Sequence, residues 1–297
     1  MKKAMLIANP SSGKEEARKY MDSVMEVLSS LGYEGTVCET VKEGDATRFA
    51  EQACEKKYDA VVSMGGDGTL NETISGLAEK DHKPTLGIIP LGTVNDFARA
   101  LSIPMEPEEA IEMLRDADKR MVDIGKVNDQ YFMNIIALGG IAEATFGVSV
   151  EQKTKLGPLA YMIEGFKTIK EKEPFDVKLK HEQGEWEGEA FLVLLALTNS
   201  VGGFEKIAPQ AKVNDGKLHC FIVKNVSIVK LVSVVTSLAK GEMEEDENVE
   251  YITTSEVEFS SSKDLIANVD GDEGDHVPLA IQVLERHIPV FVSNTNQ

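Results

Sequence analysis

Asp59-Ala60-Val61-Val62-Ser63-Met64-Gly65-Gly66-Asp67-Gly68-Thr69-Leu70-Asn71-Glu72 is the stretch whose reading decides the fold. Ala60–Met64 is a short apolar, β-branched run bounded by turn residues, the pattern of a buried parallel strand that ends where Gly65 begins. From Thr69 onward, Leu70, Thr73, Ile74 and Leu77 take up helical spacing. The unit is therefore a strand, a glycine turn and a helix start. Because glycine tolerates φ > 0 and has no Cβ, Gly65, Gly66 and Gly68 allow backbone N–H groups to converge on a ligand. The helix behind them aims unsatisfied N–H groups and the positive end of its dipole at the same place, which favours phosphate. The same residues also suit a tight βα turn capped by Thr69, with Asp67 exposed.

On either side of this stretch, strands and helices alternate. Ala4–Ala8 reads as a strand, the residues from about Glu15 to Leu31 as a helix, Gly35–Thr40 as a strand, Asp45–Lys56 as a helix and Thr85–Ile89 as a fourth strand. Such alternation predicts a parallel sheet with crossover helices, whose ligands gather at the carboxyl ends of the strands. Three further polar segments fall at those ends: Asn9-Pro10-Ser11-Ser12-Gly13-Lys14, Glu39-Thr40, and Pro90–Arg99, which reads P-L-G-T-V-N-D-F-A-R. Each also has a plain reading. The first can be a βα connection with an exposed lysine, Thr40 a strand terminus, and Asp96 with Arg99 a surface i, i+3 ion pair.

Near Lys119–Gly125 the texture changes. Asp129–Ile136, Phe175–Lys180, Ala190–Thr198, Lys217–Lys224 and Glu256–Phe259 follow with turn signals between them, which predicts a largely antiparallel second domain. Thr154–Glu173 and Val226–Lys240 are apolar at helical spacing, Gly241–Glu250 is an acidic connection, and Leu284–Val292 is a last strand expected to return to the first domain.

With 297 residues, 42% hydrophobic and 27% charged, the composition is that of a soluble globular protein of two modest domains. A net charge of −19 argues against nucleic acid as a partner and against attraction of the whole chain to anionic membranes. Membrane contact would need a local basic or apolar patch. Cys38, Cys54 and Cys220 are scattered and form no C-x-x-C, which fits a reducing cytosol, and the five histidines show no metal-ligand spacing. The longest apolar run, Ala190–Leu197, is far shorter than the roughly 20 residues that span a bilayer.

No Walker lysine follows the glycines, and G-x-G-x-x-G is absent. G-G-D-G-T followed by N-E instead resembles the nucleotide-binding signature of the diacylglycerol kinase catalytic-domain family, shared with sphingosine kinases and more distantly with NAD kinases and phosphofructokinases. P-x-G-T-x-N-D-F-A-R resembles that family's second motif, and N-P-x-S-G-K its first nucleotide loop. The resemblance covers essentially the whole chain. It implies an α/β fold with an N-terminal Rossmann-like parallel-sheet nucleotide domain, residues 1–123 with 285–297, and a largely antiparallel β-sandwich acceptor domain, residues 124–284. ATP would be held by Asn9, Pro10, Ser11, Ser12, Gly13 and Lys14, by Thr40, by Gly65, Gly66, Asp67, Gly68, Thr69, Leu70, Asn71 and Glu72, and by Thr93. Asp96 and Arg99 would organise the polar network beside Asp67 and the metal-bound phosphates. Lipid would enter between the domains, lined by the two apolar helices, which equally suit plain packing over the sandwich.

Phosphoryl transfer also needs a carboxylate that takes the proton of the attacking hydroxyl. Asn268-Val269-Asp270-Gly271-Asp272-Glu273-Gly274 could be an acidic hairpin turn, since D-G is a common turn dipeptide. It also resembles the family's N-h-D-G-E turn, with h apolar, whose final carboxylate is the general base. That role falls on Asp272, with Glu273 as the second candidate and Asp270 orienting. Asp in place of Glu brings the hydroxyl or the loop about one methylene closer. Ala208–Leu218 resembles the A-p-x-A-x-x-x-D-G-x-L segment that carries a structural magnesium, which would be held by Asp215 with the carbonyls of Lys212 and Lys217; the same residues also read as a simple turn. The resemblance thus implies an enzyme, a Mg²⁺-dependent lipid kinase using ATP, cytoplasmic and peripheral at the inner face of the membrane. Diacylglycerol would be its acceptor and a homodimer is allowed. Other lipid alcohols or NAD as acceptor, or a nucleotide-binding regulatory protein without kinase activity, are the alternatives.

Overall fold

The strands Ala60–Gly65 and Thr85–Pro90 are buried along their length, because both of their faces are covered. The computed structural model describes residues 1–12, 17–139, 173–203 and 207–294. Gly13, Lys14 and residues 154–172 of the helix expected over Thr154–Glu173 lie outside those residues, and Glu173, the one described, is not helical. The chain divides into two compact units, Met1–Ile124 with Glu285–Gln297, and Gly125–Leu284.

In the first unit β1 (Lys2–Ala8) pairs in parallel with β2 (Tyr33–Glu39) on one side and β3 (Ala60–Gly65) on the other, and β4 (Thr85–Pro90) pairs in parallel with β3. The last strand, β15 (Leu279–Val292), joins β4 in parallel at Val290 and Leu86. The crossovers are α1 (Ala17–Ser30), α2 (Asp45–Glu55) and α3 (Asp67–Leu77), followed by α4 (Asp96–Ala100) and α5 (Pro107–Met113). All residues of β3 and β4 are buried, as a strand covered on both faces requires. Helices α2 and α3 touch through backbone: a Cβ at Gly76 would overlap the carbonyl oxygen of Thr47, and the Thr47 hydroxyl donates to the Glu72 carbonyl (2.9 Å).

Helix α2 starts on a buried carboxylate. Asp45 Oδ2 accepts the N–H groups of Val41 (3.0 Å) and Lys42 (3.1 Å), and Oδ1 pairs with Arg48 at 2.7 Å. The Arg48 hydrogen bond first, then the Val41 amide, hold this carboxyl down at about 2. A depressed carboxyl contributes stability above its ordinary value of 3.8 and loses it as the pH falls towards about 2. Asp45→Asn is therefore expected to melt below the parent at pH 7. The gap between the two melting temperatures should close as the pH drops through that window, and a gap independent of pH would contradict the assignment.

The second unit is built on β9 (Gly184–Ala196). Its first half pairs antiparallel with β8 (Phe175–His181), and its second half lies between β7 (Ile135–Gly139) and β10 (Leu218–Lys224). The order continues from β8 to β12 (Glu256–Ser260) and the start of β15, and from β7 to β13 (Ile266–Val269) and β14 (Asp272–His276). Strand β11 (Val249–Thr254) flanks β10. The run Leu192–Leu197 is apolar throughout because two cores meet on it. Val193, Leu195 and Leu197 enter one with Phe175, Leu179 and Phe259. Leu192, Leu194 and Ala196 enter the other, closed by Leu231, Val234 and Leu238 of α6 (Ile228–Lys240).

The segment expected as one strand over Asp129–Ile136 is instead two. A turn at Met133-Asn134 separates β6 (Gln130–Phe132), the hairpin partner of β5 (Asp118–Val127), from β7. The acidic connection is shorter than expected, since its last residues, Val249 and Glu250, already belong to β11. No described helix is long and apolar enough to cross a membrane.

Candidate functional site

The glycine stretch folds as strand, turn and helix, but the reason for its glycines differs from the expected one. None of Gly65, Gly66 and Gly68 has positive φ. Gly65 is required because a Cβ would lie 2.7 Å from the Thr69 side chain, and a Cβ at Gly66 would be in tight contact, 3.3 Å, with Gly92 Cα. Gly68 alone opens onto free space, with nothing within 4 Å of a Cβ. Helix α3 starts at Asp67, so Thr69 is not its cap. Its hydroxyl instead accepts the Asn9 side-chain amide (3.2 Å), while Asn9 N–H donates to the Met64 carbonyl (3.0 Å). Asn9 Oδ1 in turn accepts Ser11 N–H (3.0 Å), which shapes the loop carrying Pro10 and Ser12. Thr40 stands beside this loop, with its N–H on the Ala8 carbonyl (2.9 Å). The first intrahelical bond of α3 runs from Leu70 N–H to the Gly66 carbonyl (3.1 Å), which places the amides of Gly68 and Thr69 in the turn ahead of it.

Asp67 joins this loop to the second motif. Its Oδ2 accepts Asn95 N–H (2.8 Å) and its Oδ1 accepts Asp96 N–H (2.9 Å), so it caps α4 across the gap. Burial, then the nearby charge of Asp96, raises the Asp67 carboxyl above its usual range, and the two amides pull it partly back. Asn95 sits in the left-handed region at φ 56°, and its side chain closes on Gly92 by accepting Gly92 N–H (3.0 Å) and donating to the Gly92 carbonyl (2.8 Å). The sequence reading assigned Asn95 no role. Its signal was the asparagine immediately before a helix, a residue type that tolerates left-handed backbone. Arg99 turns its Nε–H onto the Val94 carbonyl (2.8 Å) and braces the same loop, and Thr93 is exposed at its tip.

Gly65, Gly66, Asp67, Leu70, Asn95 and Ala98 line a crevice of about 10 Å³. That is room for one water, so a nucleotide would have to sit on the exposed rim at Gly68 and Thr93. Glu72 faces elsewhere: its carboxylate accepts Ala46 N–H (3.1 Å) at the start of α2. Asn71 accepts the Ser75 hydroxyl within α3.

In the second unit the acidic turn is a hairpin. Val269 pairs with Asp272 and Asn268 with Glu273, which leaves Asp270 (φ 52°) and Gly271 (φ 103°) as the two turn residues. Both have positive φ, as a type I′ turn requires. The Asp270 carboxylate is fully engaged by the N–H groups of Met133 (2.6 Å), Asn134 (2.9 Å) and Ile135 (2.9 Å). It therefore holds the turn before β7 and is not available as a base. Asn268 Oδ1 accepts Gly271 N–H (3.0 Å) and closes the hairpin. Asp272 and Glu273 are exposed, one on each face of the hairpin.

Asp215 is turned onto donors. Its oxygens accept Lys212 N–H (3.0 Å) and Lys217 N–H (3.1 Å) and stand 3.3 Å from His219 Nε2. The Lys212 carbonyl accepts Asp215 N–H (3.3 Å). These bonds make the Asp215 carboxylate the cap of its own loop. Among the described residues no three His, Cys, Asp or Glu side chains gather as a metal site.

Comparison with known proteins gives a consistent set of relatives. Residues 3–127 match the diacylglycerol kinase catalytic domain, and residues 137–292 match the YegS C-terminal NAD kinase beta sandwich-like domain. A Staphylococcus aureus protein named diacylglycerol kinase is 40% identical over 293 residues, which is 99% of this chain and 93% of that one. The protein of the same name from Staphylococcus epidermidis is 40% identical over 290 residues, 98% of this chain and 92% of its own. Among solved structures, a Bacillus anthracis protein described as a diacylglycerol kinase superposes with a TM-score of 0.85 at 28% identity, covering 99% of this chain and 98% of that one.

Proposed function

Since the chain belongs to the diacylglycerol kinase family, we propose that it transfers the γ-phosphoryl of ATP to the hydroxyl of a membrane lipid, diacylglycerol first among the acceptors. The observation that carries this reading is the hairpin. It engages Asp270 with three amides and leaves Asp272 exposed at its shoulder, a carboxylate on a rigid support with access to a substrate hydroxyl. In this reading Asp272 accepts the proton of the attacking hydroxyl. The amides of Gly68 and Thr69, together with the α3 dipole, hold the phosphates, and Thr93 and the Asn9 loop border them.

Mg²⁺, which the family implies, would neutralise phosphate charge as it enters with ATP. The Asp67 carboxylate supports that site by fixing the two loops to each other, its oxygens being engaged by Asn95 and Asp96. With a net charge of −19, the chain would meet an anionic membrane through a local patch, working at the face where ATP is present.

The test is transfer of labelled γ-phosphate from ATP and Mg²⁺ into a mixture of diacylglycerol in micelles, other lipid alcohols and NAD, followed by organic extraction. Label co-migrating with phosphatidic acid is expected. Label in another extractable lipid would change the acceptor. Label in aqueous NADP would move the activity to NAD, and ATP binding without transfer would replace the kinase by a regulatory nucleotide binder.

A further inference from the structure

Asn134 lies in the turn that Asp270 grips, and all three of its polar parts are engaged. Its N–H donates to Asp270 Oδ1 (2.9 Å), its carbonyl accepts Leu197 N–H (2.8 Å), and its side-chain amide meets the Thr198 hydroxyl at 3.1 Å. Thr198 Oγ1 is also 3.2 Å from the Ser200 carbonyl. Asn134, Thr198 and Ser200 are at most 4% exposed, in a unit whose other interior positions are largely apolar. The one hydroxyl proton is divided between Asn134 Oδ1 and the Ser200 carbonyl, so the single hydroxyl ties both segments at once. Buried polar groups linked in this way weaken a core unless complete, and when complete they select one arrangement.

We propose that Thr198 is a positioning residue for the reaction proposed above. Through Asn134, and the Asp270 grip on that residue, it couples the segment after β9, residues 198–203, to the hairpin that presents Asp272. The inference rests on the lipid kinase reading for its kinetic consequence but not for the coupling itself. Asp270, Asn134 and Thr198 come from three separate parts of the sequence, so the hairpin is set by tertiary contacts and not by its D-G turn alone. The segment after β9 carries Gly202 and Gly203 at φ 62° and 78°, a backbone conformation that suits glycine. A shift there would reach the base through one hydroxyl.

Thr198→Val keeps the shape and removes the hydroxyl; Thr198→Ser keeps the hydroxyl. Thr198→Val is expected to lower kcat about tenfold with KM for ATP unchanged, because a displaced base affects the chemical step and not nucleotide binding. Hydrogen exchange of the amides at Gly271 and Asp272 should quicken in the same variant, and Thr198→Ser should restore both. If Thr198→Val does not fold, Thr198→Ala, which admits a water, takes its place in the comparison. Parental kcat and parental hairpin exchange in the folded variant would overturn the proposal, as would a Thr198→Ser protein as slow as Thr198→Val. Should the parent transfer no phosphate to any lipid, the kinase reading fails and the kinetic role falls with it. The exchange measurement still decides the coupling.

Discussion

Asp272→Asn is expected to lower turnover by about a thousandfold, in the middle of the range for loss of a positioned general base, while ATP binding stays at the parental level. The substitution keeps the size of the side chain and removes its basicity. The hairpin should survive it, because its geometry comes from Asp270, Gly271 and Asn268 and not from residue 272. Glu273→Gln is the matched control. Strand pairing puts Asp272 on the face of Val269 and Glu273 on that of Asn268, so one substrate hydroxyl cannot face both carboxylates equally. Parental kcat in Asp272→Asn together with a collapse in Glu273→Gln would transfer the base to Glu273. Loss in neither would remove the hairpin from the chemistry. Asp270→Asn should behave differently again, with a lower melting temperature beside any loss of rate, because it weakens the grip on three buried amides.

The second large effect separates two glycines that read alike in the sequence. Gly68→Ala fills open space in the first turn of α3, where alanine is the better helix former by up to about 1 kcal/mol, so the melting temperature should hold or rise. If the phosphates rest on the Gly68 and Thr69 amides, the added methyl stands in their way, and Kd for ATP should rise about tenfold or more, a loss of at least about 1.4 kcal/mol. Gly92→Ala is the converse. Its Cβ would lie 2.6 Å from Asn95 Oδ1 and 2.7 Å from Gly66 Cα, and the latter is backbone that cannot rotate away. A loss of about 1–3 kcal/mol of stability is expected, as for overpacked cores. Thermal melts and calorimetric titration of ATP on both variants check the pair. Unchanged ATP affinity in a stable Gly68→Ala protein would show that this helix start does not carry the phosphates.

The glycine stretch was legible as strand, turn and helix because the signals are local: an apolar run, three small residues, and apolar positions three and four apart. The parallel direction of β1 to β4 was legible for the same reason, as was a strand over Ala190–Thr198, although β9 starts earlier, at Gly184, and the meeting of two cores on it was seen only in the structure. The break of Asp129–Ile136 into two strands was not. Met133 and Asn134 carry no Gly or Pro, and what stabilises their turn is a carboxylate more than 130 positions away, Asp270.

What the sequence determined by itself was therefore the periodic part of the molecule, the two glycine-rich motifs, and a set of candidate site carboxylates in which Asp272 and Glu273 were the choices for the base. Tertiary structure alone decided which of those carboxylates are committed. Asp67 caps α4, Glu72 meets the start of α2, Asp215 holds its own loop, and Asp270 binds the turn before β7. All four are acidic residues, and residue type alone does not separate them from Asp272 and Glu273. Three of their partners lie tens of residues or more away in the chain. A carboxylate's role depends on which N–H groups reach it, and strand and helix periodicity carries no record of those long-range hydrogen bonds.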